Sequence, residues 1–127
     1  MSQPVLFSIL ESSAHPNMSK LYQQLGFDEL KFTSQRKAIS KLKTIKPAVI
    51  VAEFFYGYGN NYAGVNVSNL DTLLASLQRY SPETRVIVLV SKREFEYVAK
   101  LQKLFPVHAV LVHPVSRLDL EQVLMEG

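Results

Sequence analysis

The chain contains no cysteine. Disulfides, thiolate metal sites and cysteine nucleophiles are excluded, and the redox compartment stays open. No apolar run approaches the ~20 residues that a membrane-spanning helix requires. The opening stretch MSQPVLFSIL lacks a basic start and a cleavage site, so it is not read as a secretion signal. Internal repeats, linkers and low-complexity tracts are also lacking. These absences make a cytoplasmic protein the expectation. A basic stripe interleaved with aromatics, the usual mark of a nucleic-acid binder, is missing too. The densest basic run, from Lys31 to Lys46, reads as the solvated face of one helix. Nucleic acid and membrane are therefore not among the expected partners.

What is present suffices for a packed core. The 127 residues amount to a single domain over 1–127, with 47% apolar residues and a mild net charge of +3. Apolar runs of strand length alternate with segments of helical period. PVLFSIL, ELKFTS, AVIVAEF, RVIVLVS and HAVLVHP read as strands. MSKLYQQL ends as a helix at Gly26, and QRKAISKLKTI ends before Pro47. Ser68 caps a helix carrying Leu70, Leu73, Leu74 and Leu77. EFEYVAKLQKLF places Phe95, Val98, Ala99, Leu101 and Leu104 in helical register, and RLDLEQVLME forms the last helix. The pattern is (βα)5, an α/β fold. Strands that are apolar throughout fit a parallel sheet covered on both faces, and the more polar second strand fits an edge. Right-handed crossovers then give strand order 2-1-3-4-5.

In such a sheet the functional crevice lies beyond the carboxyl ends of the strands, where the order reverses between strands 1 and 3. The residues there are Glu11, Ser12 and Ser13 after strand 1, Glu53 after strand 3, Ser91 after strand 4, and His113-Pro114 after strand 5. His15 faces the same edge, whereas His108 opens strand 5 at the opposite end and reads as structural. Strand 3 runs into FFYGYGNNYAG, whose Phe55, Tyr56, Tyr58 and Tyr62 sit among glycines and asparagines. Tyrosine gives rigid contact area and glycine an adaptable backbone, so this loop reads as a partner-binding surface.

The segments ILESS, VIVAE, VLVSK and VLVHPVSRLDLEQVL, in that order and spacing, resemble the receiver domain of bacterial two-component response regulators. The resemblance covers nearly the whole chain and implies a flavodoxin/receiver-like three-layer sandwich. It makes Glu53 the equivalent of the phospho-accepting aspartate, and Glu11 with Ser12 a degenerate form of the acidic pair. Ser91 and Val110 become the switch equivalents, valine standing where receivers carry an aromatic. His113-Pro114 takes the place of Lys-Pro.

A receiver holds Mg²⁺ with two or three carboxylates during phosphoryl transfer. Here there are fewer acids. The longer Glu53 moves the carboxylate by about 1.5 Å, the length of one bond. The resemblance with these departures implies a pseudo-receiver without the ordinary Asp phosphorylation cycle. Glu53 would lie where a phosphoryl group otherwise lies, bonded by Ser91 or by protonated His113. Such a chain is not an enzyme, has no cofactor beyond weakly held Mg²⁺, and stands alone without an output domain. It acts in bacterial signal transduction by docking on a protein partner, a sensor kinase or output protein, or on a second copy as a homodimer. The usual receiver docking face, helix 4–strand 5–helix 5, would offer Arg93, Tyr97, Lys100 and Arg117. Three rival readings remain: an active receiver phosphorylated on Glu53; a metal- or small-ligand-binding protein or enzyme using the Glu11, His15, Glu53 and His113 rim; and, weakest, RNA or DNA binding through the Lys31–Lys46 helix, which steep salt dependence would support.

Overall fold

The five apolar runs lie side by side. The computed structural model of the chain describes residues 3–12, 17–56 and 68–126. Its strands are Val5–Ile9 (β1), Asp28–Phe32 (β2), Val49–Glu53 (β3), Arg85–Val90 (β4) and Ala109–Val112 (β5). They form a parallel sheet in the order β2-β1-β3-β4-β5. Between them run the helices Ser19–Gln24 (α1), Gln35–Leu42 (α2), Asp71–Tyr80 (α3), Val98–Leu104 (α4) and Arg117–Met125 (α5). The expected (βα)5 architecture and strand order are both present.

Period-2 alternation sorts the sheet's side chains into two cores. On one face Phe7, Ile50 and Ala52 pack with Ala38 and Leu42 of α2, the leucines of α3, and Val98 and Leu101 of α4. On the other face Leu6, Val49 and Val51 pack with Leu21 and Tyr22 of α1 and Leu120 and Leu124 of α5. β3 is buried along its whole length. β2 is the more exposed edge, as its polar sequence requires. β5 is apolar but only half-buried, because it forms the other edge.

Local signals set most element ends. Gly26 takes φ +87°, open to glycine at little cost. Its N–H bonds Gln23 O at 3.0 Å and that of Phe27 bonds Tyr22 O at 2.9 Å, which closes α1. Ser34 caps α2 and Ser116 caps α5 through their hydroxyls. The peptide between His113 and Pro114 is cis.

Four expectations need correction. α2 ends at Leu42, not at the approach to Pro47, because Lys43 already closes the last turn. Ser68 stands two residues outside the α3 cap position. It works there through a reciprocal pair: its hydroxyl accepts from Leu70 N at 3.0 Å, and Asp71 Oδ1 accepts from Ser68 N at 2.7 Å. The fourth helix opens with one turn of 3₁₀ helix, Phe95–Tyr97, and α4 buries Val98 and Leu101 alone. Phe95, Ala99 and Leu104 are exposed, since this short helix turns only one narrow stripe inward. Finally, His108 lies just before β5, its N–H bonded to Val86 O at 2.8 Å.

Candidate functional site

Glu53 ends β3 at the point where strand order reverses, flanked by β1 and β4. It is 2% exposed. Its carboxylate is held from the β1 side. Oε1 accepts the backbone N–H of Glu11 at 2.7 Å and that of Ser12 at 2.8 Å. Oε2 accepts the Ser12 hydroxyl at 2.5 Å. A carboxylate offers about four lone-pair directions, and donors among the described residues take three of them.

This corrects the donors expected from sequence. Ser91 and His113 do not supply them; the chain leaving β1 does, because the extra methylene of glutamate carries the carboxylate across to that loop. Ser91 Oγ instead accepts from Glu94 N at 3.3 Å and shapes the turn into the 3₁₀ segment. His113 N bonds Val90 O at 2.8 Å, its ring is half-buried, and Pro114 is exposed. Val110 is half-buried against the α2–α3–α4 core, opposite Val88.

Glu11 contributes its amide to Glu53 and turns its own carboxylate away. Glu11 Oε1 takes Gln35 Nε2 at 2.5 Å and Asn69 Nδ2 at 3.5 Å. Asn69 ties the site together: Nδ2 bonds Glu53 O at 2.8 Å, and Oδ1 accepts from Phe55 N at 2.7 Å. The side chains drawn together are thus Glu11, Ser12, Gln35, Glu53 and Asn69. Gln35 and Asn69 escaped the sequence reading. The only trace of Asn69 was its place inside SNLD, a Ser-x-x-Asp box that marks a helix start.

These groups do not fit a magnesium ion. Mg²⁺ requires oxygen lone pairs in tight octahedral geometry. Here N–H and O–H dipoles point their positive ends at the Glu53 carboxylate, and among the described residues the partners of the Glu11 carboxylate are the amide NH₂ groups of Gln35 and Asn69. Among the described residues no three His, Cys, Asp or Glu side chains are grouped for a metal. His15, like Ser13, lies outside the described residues.

The start of the aromatic loop is anchored. Phe54 is buried in the core and Phe55 is half-buried. Tyr56 is 38% exposed, and its ring stacks on Tyr97 with centroids 3.8 Å apart and planes 11° apart. Tyr56 N bonds Glu94 Oε2 at 3.0 Å, and Lys100 Nζ lies 3.3 Å from Tyr56 Oη. Tyr97, expected as free docking surface, is therefore covered on one side by Tyr56. Tyr58 and Tyr62 lie outside the described residues.

No protein-family model and no curated protein matches the chain. Solved structures do. A receiver domain protein from Clostridium thermocellum superposes with a TM-score of 0.70 at 18% identity, over 94% of this chain and 90% of that one. A CheY-like receiver domain protein from Methanospirillum hungatei gives 0.71 at 12% identity, over 98% and 93%. A Burkholderia pseudomallei response regulator with a phosphorylated aspartic acid gives 0.65 at 17% identity, over 97% and 67%. At such identities the likeness concerns the fold: the chain has the CheY-like, flavodoxin-type fold of response regulator receiver domains. Among the described residues no helix is long and apolar enough to cross a membrane.

Proposed function

We propose that this chain is an atypical receiver of bacterial signal transduction, working by protein contact and without the ordinary phosphorylation cycle. One observation carries the reading. The side chain in the phospho-acceptor position is a buried glutamate whose oxygens already take three hydrogen bonds from the β1 loop. In-line attack on phosphorus needs a free lone pair and close alignment with the donor, and misplacement of about 1 Å costs about 10²-fold. Glu53 offers little of either. Its carboxylate acts as a fixed internal anion that keeps the β1 and β3 ends in one arrangement.

The contact surface follows from exposure. Leu118 is 72% exposed and Met125 68%, both on α5, while Phe95 and Leu104 project from the 3₁₀–α4 segment. Exposed apolar side chains thus occur on both helical layers, α4 lying on one face of the sheet and α5 on the other. Leu118 and Met125 line one hollow on α5, and solvated apolar side chains of this size favour a protein partner, a sensor kinase, an output protein or a second copy. The role is non-enzymatic and cytoplasmic.

The test is incubation with a small acyl phosphate and Mg²⁺ followed by intact mass measurement. The mass is expected to stay unchanged. A stable phosphoryl adduct on Glu53 would establish an active receiver instead.

A further inference from the structure

Charge is unevenly divided between the two helical layers. α2, α3 and α4 cover one face of the sheet, and α1 and α5 cover the other. The α2–α3–α4 layer, with its connecting turns, carries ten of the fourteen basic residues and four of the eleven acidic ones. Two of those four acids are engaged locally, Asp71 by Ser68 and Glu94 by the Tyr56 amide. The sheet and the α1–α5 layer hold the remaining four basic and seven acidic residues. A chain of net charge +3 thus presents one strongly cationic side.

The cationic side is densest on α2. Arg36, Lys37, Lys41, Lys43 and Lys46 are all exposed. At 100° per residue the first four of these, with Ser40, fall within an arc of about 160°, opposite the buried Ala38 and Leu42. No acidic residue occurs between Glu29 and Glu53. Lys31 is not part of this face. It alternates with Leu30 and Phe32, which pack toward α2, and so it points to the α1 side beside Ser19 and Glu29.

We propose that the exposed face of α2 binds the phosphodiester backbone of double-stranded nucleic acid without reading its sequence. Charge complementarity selects a polyanion, and the residues between the cations select the kind. Ser40 and Thr44 occupy those positions, with no exposed aromatic to stack on a base and no exposed aliphatic to enter a bilayer. From Arg36 to Lys43 the helix runs ~10 Å at 1.5 Å per residue. Duplex DNA carries one charge per ~1.7 Å of axis, so that length opposes about six phosphates. This inference does not depend on the state of Glu53.

Fluorescence anisotropy of a labelled mixed-sequence duplex DNA, titrated with the full chain over a salt series, tests it. Binding is expected to weaken with salt at a logarithmic slope of roughly −3 to −5, for four or five phosphate contacts. The variant R36Q/K37Q/K41Q/K43Q, checked for folding by circular dichroism, should lose at least about tenfold in affinity and most of that slope. The variant K20Q/K31Q on the opposite layer should stay within about twofold of wild type, because its cations lie outside the contact. The proposal is overturned by any of four results: no binding at low salt, an α2 variant that binds like wild type, equal losses in both variants, or equal or tighter binding to phosphatidylserine vesicles or polyglutamate.

Discussion

Glu11 meets Glu53 with its peptide N–H and not with its carboxylate. The nitrogen lies 2.7 Å from Glu53 Oε1, while the Glu11 side chain reaches Gln35. Two acids that could have shared a cation are thereby arranged as anion and anion-binder. The chemistry of the site changes sign without any change in the backbone plan around it.

Truncating Glu53 should cost far more than truncating Glu11. Glu53→Ala removes the acceptor of two amides and a hydroxyl; Glu11 is half-buried and Ser12 exposed, so water replaces part of the loss and each group falls at the low end of about 1–3 kcal/mol. A loss of about 3 kcal/mol in unfolding free energy is expected, and a smaller one for Glu53→Gln, which can still accept. Glu11→Ala keeps the N–H that does the holding, so about 1 kcal/mol is expected. Urea denaturation of the three variants measures the order, and a Glu11 variant as weakened as Glu53→Ala would contradict it.

Asn69 should prove a structural tie of similar weight. Its side-chain amide bonds Glu53 O and Phe55 N, both at the exit of β3. Asn69→Ala leaves both backbone groups without that partner, and about 2 kcal/mol of destabilisation is expected. Hydrogen exchange at Phe55 N–H should accelerate in the same variant. Unchanged exchange there would show that the amide is held by other means.

Tyr56 and Tyr97 should be energetically coupled. Stacked aromatic pairs contribute about 0.5–1.5 kcal/mol beyond the area they bury. A double-mutant cycle with Tyr56→Ala and Tyr97→Ala should return a coupling energy in that range. Strict additivity would mean that the stack does not persist in solution.

Tyr22 carries a hydroxyl that is buried and without a hydrogen-bond partner among the described residues. Burial pushes its pKa above the ordinary value near 10, and the nearby charge of Glu29 adds to the rise. The folded chain therefore keeps this proton at a pH where the unfolded chain has released it. The corresponding stability is fully present below about pH 10 and is lost as pH rises above it. Tyr22→Phe removes an unsatisfied polar atom, so its stability at pH 7 should match or exceed wild type. Its decline above pH 10 should be shallower. Thermal melts of both proteins from pH 7 to 11 test both statements, and a loss of more than about 1 kcal/mol at pH 7 would point to an unseen partner for the hydroxyl.

The exposed groups that would carry partner contact were only partly legible. Phe95 and Leu104 have the spacing of a buried stripe, yet α4 is short and turns just Val98 and Leu101 inward. Periodicity reports which residues share a helical face; it does not report how wide a stripe the neighbouring strand can cover. Edge strand β5 covers little, which leaves those side chains in solvent.

The order of elements, the parallel sheet with its reversal between β1 and β3, and the stop at Gly26 follow from the sequence alone. They depend on hydrophobic period and on residues whose backbone preferences act over a few positions. The sequence also places Glu11, Ser12 and Glu53 near one crevice, because strand ends in this topology converge. Only the tertiary structure decides what Glu53 binds. Its principal donors are peptide N–H groups, which every non-proline residue carries and which leave no mark in the sequence. The same holds for the division of charge between the helical layers. Lys31 and Lys37 are near neighbours in the chain, but strand parity and helix docking send them to opposite sides of the sheet.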